Sequence, residues 1–115
     1  MNKFTKVKIA IGNELYFIGE VINSKENSIE YTDDSSKNKI EIVDDKIIYT
    51  RENNEFLLVM DNTKEYAYYK LKDLNYELDI KINYLDKRIE DNKLIISYLL
   101  ETTDKEINII LEGDK

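Results

Sequence analysis

The sequence NYELDIKINYLDKRI, residues 75–89, decides the fold class. Polar and apolar side chains alternate strictly from residue 76 to residue 84; the apolar ones are Tyr76, Leu78, Ile80, Ile82 and Tyr84. A period of two is typical of a β-strand with one face in a core and the other in water, whereas a helix would scatter these residues around its circumference. Such a strand spans roughly 30 Å at about 3.3 Å per residue, which is long enough to wrap a barrel or sandwich.

Shorter segments of the same kind occupy most of the remaining chain. Predicted strands cover residues 4–11, 14–23, 28–32, 39–43, 46–51, 56–60, 93–101 and 106–112, with turns rich in Asn, Asp, Ser and Gly between them. A Gly12-Asn13 pair predicts a two-residue hairpin turn, and Gly19 within its strand predicts a bulge or bend. Consecutive hairpins of this kind predict an all-β protein: an antiparallel meander that closes into a β-barrel, as one domain over residues 1–115.

Residues 62–74 are compatible with two structures. Tyr66 and Tyr68 alternate as they would in a strand. Asn62 and Glu65 have the spacing of a helix cap. Tyrosine-rich sequence favours sheets, so the strand is the preferred prediction.

Composition limits the partners of the chain. It has 115 residues and a net charge of −7, and its lysines form no basic patch, so we expect no nucleic-acid binding. No apolar run reaches the ~20 residues of a membrane span, and the first residues lack the apolar core of a signal peptide. We therefore expect a cytoplasmic protein without membrane association, and the absence of Cys suits that compartment.

The residue inventory restricts catalysis. The chain has no His and no Cys, which excludes a Ser-His-Asp triad, a Cys-His pair and a zinc–thiolate site within it. Acidic turns at residues 33–34, 44–45 and 90–91 lack the spaced ligands of a calcium loop. We predict that the protein is not an enzyme and holds neither cofactor nor metal.

Several strand sequences resemble the YwiB-like family. They are IEYTD at 29–33, KIEI at 39–42, DKIIYTR at 45–51, LDI at 78–80, LIISYLL at 94–100 and INI at 107–109. The resemblance covers about residues 5–112 and implies a small bacterial protein of unassigned function with a calycin-like β-barrel. Members tend to carry a Tyr-Gly pair before the long strand, where this chain has Leu74 and Asn75. Calycins often hold apolar ligands inside the barrel.

Tyr49 and Arg51 are candidate ligand-binding residues. Both alternate with Ile47, so all three point the same way, and a hydroxyl with a guanidinium inside a barrel can hold a carboxylate. The alternative is that Arg51 ends its strand at the barrel mouth and meets solvent. Other tyrosines could line a cavity with polar tips or simply fill the core. The predicted site for a small, partly apolar or carboxylate ligand consists of Tyr49, Arg51, Tyr66, Tyr68, Tyr84 and Tyr98.

Two segments within the predicted strands, residues 56–60 and 94–100, are apolar on both faces. A sheet with one solvent-exposed face does not need apolar side chains on that face. Either another part of this chain or a second subunit therefore covers the second apolar face. The alternative function is therefore a protein–protein interaction or structural module that acts through its outer surface as a homodimer. The predicted interface consists of Leu57, Val59, Ile95 and Leu99.

Overall fold

The computed structural model describes residues 4–113, in which ten antiparallel strands form a closed barrel. The strands are β1 (Phe4–Ile11), β2 (Glu14–Ser24), β3 (Ser28–Thr32), β4 (Lys37–Val43), β5 (Lys46–Glu52), β6 (Phe56–Asp61), β7 (Tyr66–Leu71), β8 (Tyr76–Glu90), β9 (Lys93–Leu100) and β10 (Ile107–Gly113). Each strand pairs with its neighbours in sequence, and β10 pairs with β1 to close the ring. The predicted all-β meander barrel is confirmed.

The ambiguous segment contains strand β7. Its residues pair with β6 on one side and β8 on the other, as in the row Val59, Tyr68, Asp79. The turn that follows places Asn75 at φ 47°, in the left-handed region that favours glycine. Asn tolerates this conformation better than most residues, so the turn forms without glycine.

The first hairpin turn has the predicted form. Gly12 adopts φ 62° between β1 and β2, which a residue with a side chain rarely adopts. Two later turns use Asp44 and Asp91 in the same region, at φ 55° and 52°. Asp, Asn and Gly thus supply the turn conformations in a chain that contains no proline.

Two strands change partner along their length and join two sheets into the barrel. Residues 14–20 of β2 pair with β1, whereas residues 21–24 run beside β3. Residues 76–81 of β8 pair with β7, whereas residues 82–90 pair with β9. We call these two places the β2 seam and the β8 seam. The long strand predicted from sequence is therefore shared between sheets.

The β8 seam alters the predicted faces of the long strand. Ile82 is buried as expected, but the register shifts between Ile82 and Tyr84. Beyond the shift, Leu85 pairs with buried Tyr98 and is itself buried, while Tyr84 pairs with Leu99. The bulge inserts one extra residue, so every later side chain points to the face opposite to the one that simple alternation predicts. The predicted inward position of Tyr84 was wrong for this reason.

The core fills the barrel interior with aliphatic and aromatic side chains. Alternate residues of the strands point inward, as the pleat requires. The largest fully buried side chains are Tyr31, Ile29, Ile40, Ile47, Met60, Leu94, Ile96, Ile109, Leu111 and Val7.

Gly19 lies just before β2 changes partner, and it faces the interior opposite Val7. A Cβ atom at this position would lie 2.6 Å from two ring atoms of Phe17. The sequence predicted a bend at Gly19; in the structure the Phe17 ring lies over the backbone there and leaves no room for a side chain. Register shifts flank it on both sides, between Ile9 and Ala10 on β1 and within β2 after Val21.

Gly19→Ala should therefore lower the free energy of unfolding by about 1–3 kcal/mol, the usual range for overpacking. Urea unfolding followed by circular dichroism measures this. Phe17→Leu lacks the clashing ring atoms, so Gly19→Ala should cost clearly less in that background. Equal losses in both backgrounds would show that the ring is not the cause.

Candidate functional site

Polar side chains point inward from three neighbouring strands at one end of the barrel. Tyr31 of β3 pairs with Asn38 of β4, and Asn38 pairs with Arg51 of β5. Asn38 alternates with the core residues Ile40 and Ile42, so the pleat directs it into the barrel. Tyr31 and Asn38 are only 1% and 3% exposed, and Arg51 is partly buried.

The Asp33 carboxylate lies at the centre of this polar group. Its Oδ1 accepts hydrogen bonds from the backbone N–H groups of Ser35 and Ser36, each at 3.0 Å. Its Oδ2 accepts from Asn38 Nδ2 and Arg51 Nε, each at 3.1 Å. Burial alone would raise the pKa of Asp33, but these hydrogen bonds and the Arg51 charge outweigh burial and hold it below its ordinary value. The carboxylate is therefore ionised and all four of its acceptor sites are used.

The Arg51 guanidinium is fixed in position on two sides. Besides the Asp33 contact, it lies 5.6 Å from the centre of the Phe56 ring, which stacks on Tyr69. A longer contact of 3.5 Å joins its Nη2 to Ser35 Oγ. Burial alone would lower the pKa of Arg51, but the Asp33 carboxylate raises it above its ordinary value.

Three tyrosine hydroxyls are buried beside this ion pair. Tyr49 donates to Asn38 Oδ1 at 2.6 Å, and its ring lies 5.7 Å from that of Tyr98. Burial raises the pKa of Tyr98 to about 12 and raises that of Tyr49 well above its ordinary value. The Tyr31 hydroxyl interacts with that of Tyr49 but has no partner at hydrogen-bond geometry among the described residues. All three phenols therefore stay neutral at physiological pH.

A cavity of about 140 Å³ opens beside Arg51 at this end of the barrel. Its lining combines aliphatic side chains with the aromatic and charged groups described above. The lining residues are Ile9, Ile11, Tyr16, Asp33, Tyr49, Arg51, Tyr98, Ile107 and Ile109. Larger depressions of about 490 and 390 Å³ border the outer ends of β3, β4 and β5 and are more open to solvent.

The structure brings together three of the six ligand-binding residues predicted from sequence. Tyr49, Arg51 and Tyr98 line the cavity. Tyr66 and Tyr68 lie on the outer face of β7, because Ala67 between them is the buried residue.

Outside the barrel, Tyr68 donates to the carboxylate of Glu77, and Tyr84 donates to that of Glu106. Tyr66 is half exposed. These three tyrosines therefore lie at the surface and do not line the cavity.

The four predicted interface residues lie on two separate parts of the outer surface. Leu57 and Val59 are on β6, Ile95 and Leu99 are on β9, and strands β7 and β8 lie between them. Ile95 pairs with Ile110 and is only 7% exposed in the isolated chain. These residues do not form one continuous surface.

Asp33, Asn38 and Tyr16 are site residues that sequence reasoning missed. Asn38 could have been found, since it has the same parity as Ile40 and Ile42 and is polar at an inward position. Asp33 has the sequence of an ordinary acidic turn, and only the fold brings it to Arg51. Tyr16 is the extra residue where the β1–β2 register shifts, so alternation does not predict its direction.

Comparisons with protein-family models, with curated proteins and with solved structures found no match for this chain. Within residues 4–113, no group of three or more His, Cys, Asp and Glu side chains could hold a metal ion. The same residues include no helix with the length and apolarity to cross a membrane.

Asp33→Asn should lower the free energy of unfolding by about 1–3 kcal/mol at neutral pH, because Arg51 loses its charged partner. The folded pKa of Asp33 lies below the ordinary 3.8, so its contribution is complete above that pH and is lost as the pH falls through the folded value. Urea unfolding at several pH values measures the difference from wild type.

The neighbouring exposed residue offers the control. Asp34→Asn should change the free energy of unfolding by less than about 0.5 kcal/mol at every pH. If the difference between wild type and Asp33→Asn grew as the pH fell below 3.8, the sign of the pKa shift would be wrong.

Tyr31→Phe should leave the free energy of unfolding unchanged or raise it by about 1 kcal/mol, because a buried hydroxyl without a partner is unfavourable. Tyr49→Phe should lower it by about 1–3 kcal/mol, because Asn38 then loses a donor. Each substitution removes one buried phenol hydroxyl, from β3 and from β5 on either side of β4, so thermal unfolding of both gives a matched comparison. Equal losses would mean that the Tyr31 hydroxyl has a partner of its own.

Proposed function

We propose that this chain is a non-catalytic binding protein that takes a small carboxylate with a short apolar tail into the cavity beside Arg51. The carboxylate would meet the guanidinium and the tail would lie against the isoleucines of β1 and β10. The proposal rests on one observation: Arg51 has unused N–H donors, whereas the acceptor sites of Asp33 are all filled.

The imbalance concerns the two members of the ion pair. Asp33 has four acceptor sites and all four are filled by protein donors. Arg51 has five N–H donors, and contacts within residues 4–113 use two of them, one at the long distance of 3.5 Å. The ion pair therefore offers free donors on Arg51 and no free acceptor on Asp33, which favours an acceptor-rich ligand over a cation.

The geometry of Arg51 favours a planar anion. Asp33 and the Phe56 ring fix the guanidinium, so little side-chain freedom would be lost on binding. A guanidinium fork matches the two oxygens of a carboxylate. Tyr98 lines the same cavity, and its hydroxyl, being neutral, would be a donor to the same group if it faces the ligand.

The size of the cavity limits the ligand. A volume of about 140 Å³ corresponds to roughly five water molecules at ~30 Å³ each. That is below the ~300 Å³ of a typical pocket for drug-sized ligands. The favoured ligands are carboxylates of a few carbon atoms, with Ile9, Ile107 and Ile109 as the apolar wall.

The non-catalytic role rests on the chemistry available. Asp33 is held as an ionised, fully bonded carboxylate and the neighbouring tyrosines are held neutral, so none of them is placed to exchange protons near pH 7. Membership of the YwiB-like family with its calycin-like barrel, a bacterial origin and a cytoplasmic location belong to the same proposal. They rest on the sequence patterns alone.

Titration of isotopically labelled protein with acetate, propionate and butyrate tests the proposal by NMR. We expect shifts in β5 and in residues 33–36, and an affinity that rises about fourfold per added CH₂ until the cavity is full. Sodium chloride at equal ionic strength controls for salt.

Arg51→Ala should weaken butyrate binding about tenfold or more, because the bidentate contact is lost. The matched control is Arg88→Ala, which removes the other arginine of the chain from the exposed end of β8. Arg51→Lys keeps a positive charge beside Asp33, so it separates loss of the fork from loss of the fold. Equal affinities in the Arg51 and Arg88 variants would overturn the site.

A further inference from the structure

We propose that two copies of this chain pair through the open edge of β2 at the β2 seam, antiparallel and about a twofold axis, so that the sheet continues from one barrel into the next. The argument for this interface does not use the proposed ligand, although Tyr16 of this edge also lines the cavity. It differs from the surface of β6 and β9 predicted from sequence.

The backbone of β2 lacks a second neighbouring strand along residues 14–20. Residues 14–20 pair with β1 on one side, whereas β3 reaches only residues 21–24 on the other. Outside the strand pairings, residues 14–20 make no hydrogen bond to any residue between 4 and 113. Alternate residues of a strand direct their N–H and C=O groups to opposite sides, so part of this backbone faces away from β1 without a partner.

The open edge at the β8 seam differs from that of β2 in its side chains. Residues 84–90 of β8 also pair on one side only, with β9. There the edge carries the exposed charges of Asp86, Arg88 and Glu90, and Lys87 reaches across the seam to the carbonyl oxygen of Asp44. Charged side chains are the usual protection of an open edge against pairing.

The edge of β2 lacks that protection along its middle. Leu15, Tyr16 and Ile18 are 56%, 63% and 61% exposed. The charges on this edge, Glu14 and Glu20, lie only at its two ends. An open edge with exposed apolar side chains is a template for another strand.

One antiparallel register lets the β2 edge pair with the same edge of a second copy of this chain. Residues directly opposite each other in an antiparallel pair share a face. Leu15 and Ile18 are three residues apart and would point to opposite faces of a regular strand. The register shift between Ile9 and Ala10 adds one residue between them, so both lie on the outer face. A twofold axis can therefore set Leu15 opposite Ile18 of the second copy and, by symmetry, Ile18 opposite Leu15.

The same register suits the charges. It sets Glu14 opposite Gly19 and Glu20 opposite Asn13, so no acidic side chain faces another across the pair. Like charges directly opposite each other would destabilise the pair. The long-range repulsion between two chains of net charge −7 remains, so association should strengthen with salt.

Analytical ultracentrifugation of the full chain tests the association. We expect a dimer whose dissociation constant falls as salt is raised and rises about tenfold or more in Ile18→Lys. Ile89→Lys is the matched control, since Ile89 is 67% exposed on the strand of the β8 seam and should leave the dimer unchanged. A monomeric wild type, or a dimer indifferent to Ile18→Lys, would overturn the proposal.

Disulfide trapping tests the register, and the chain has no cysteine of its own. Leu15→Cys with Ile18→Cys should form a covalent dimer on oxidation, because opposed residues lie about 5.5 Å apart between Cα atoms. Each single substitution should trap little, since its copies lie about 10 Å apart along the strands. Trapping by the single substitutions, or none by the double, would exclude this register.

Discussion

The open end of the barrel depends on the contact between the Asp33 carboxylate and its four donors. Two of the donors are backbone groups of the β3–β4 turn, one is the Asn38 amide of β4 and one is the Arg51 guanidinium of β5. A charge this deep would be unfavourable without such partners. Because it has them, it ties three consecutive strands together and fixes the arginine beside the cavity.

This contact also explains why the barrel is not filled to its end. Aliphatic side chains close the interior around Ile40 and Ile96. Above them, Arg51 is held aside by Asp33 and by the Phe56 ring and leaves a small space against Ile107 and Ile109. The cavity thus lies between the ion pair and these isoleucines, and its charged groups are Asp33 and Arg51.

The fold was predictable from the sequence because alternation and turn chemistry are local. The strands, the two-residue turn at Gly12 and the strand in residues 62–74 follow from side chains within a few positions of each other. The inward faces of Tyr49, Arg51 and Tyr98 follow from the same rule. The rule fails at bulges, so the direction of Tyr84 and the role of Tyr16 were beyond it. Asp33 was beyond it too, because a turn residue acquires its partner only when β5 lies beside it.

The pairing of β1 with β10 has a consequence for how the chain folds. The hairpins from β1 through β10 each join neighbours in sequence, but closure brings Phe4 opposite Gly113. Closing a loop of roughly 100 residues costs about 4 kcal/mol of chain entropy by the usual logarithmic estimate. The local hairpins can form before this entropy is lost. We therefore expect the pairing of β1 with β10 to form last. During synthesis β1 lacks its second neighbour until β10 has left the ribosome, so the side of β1 that pairs with β10 stays open until then.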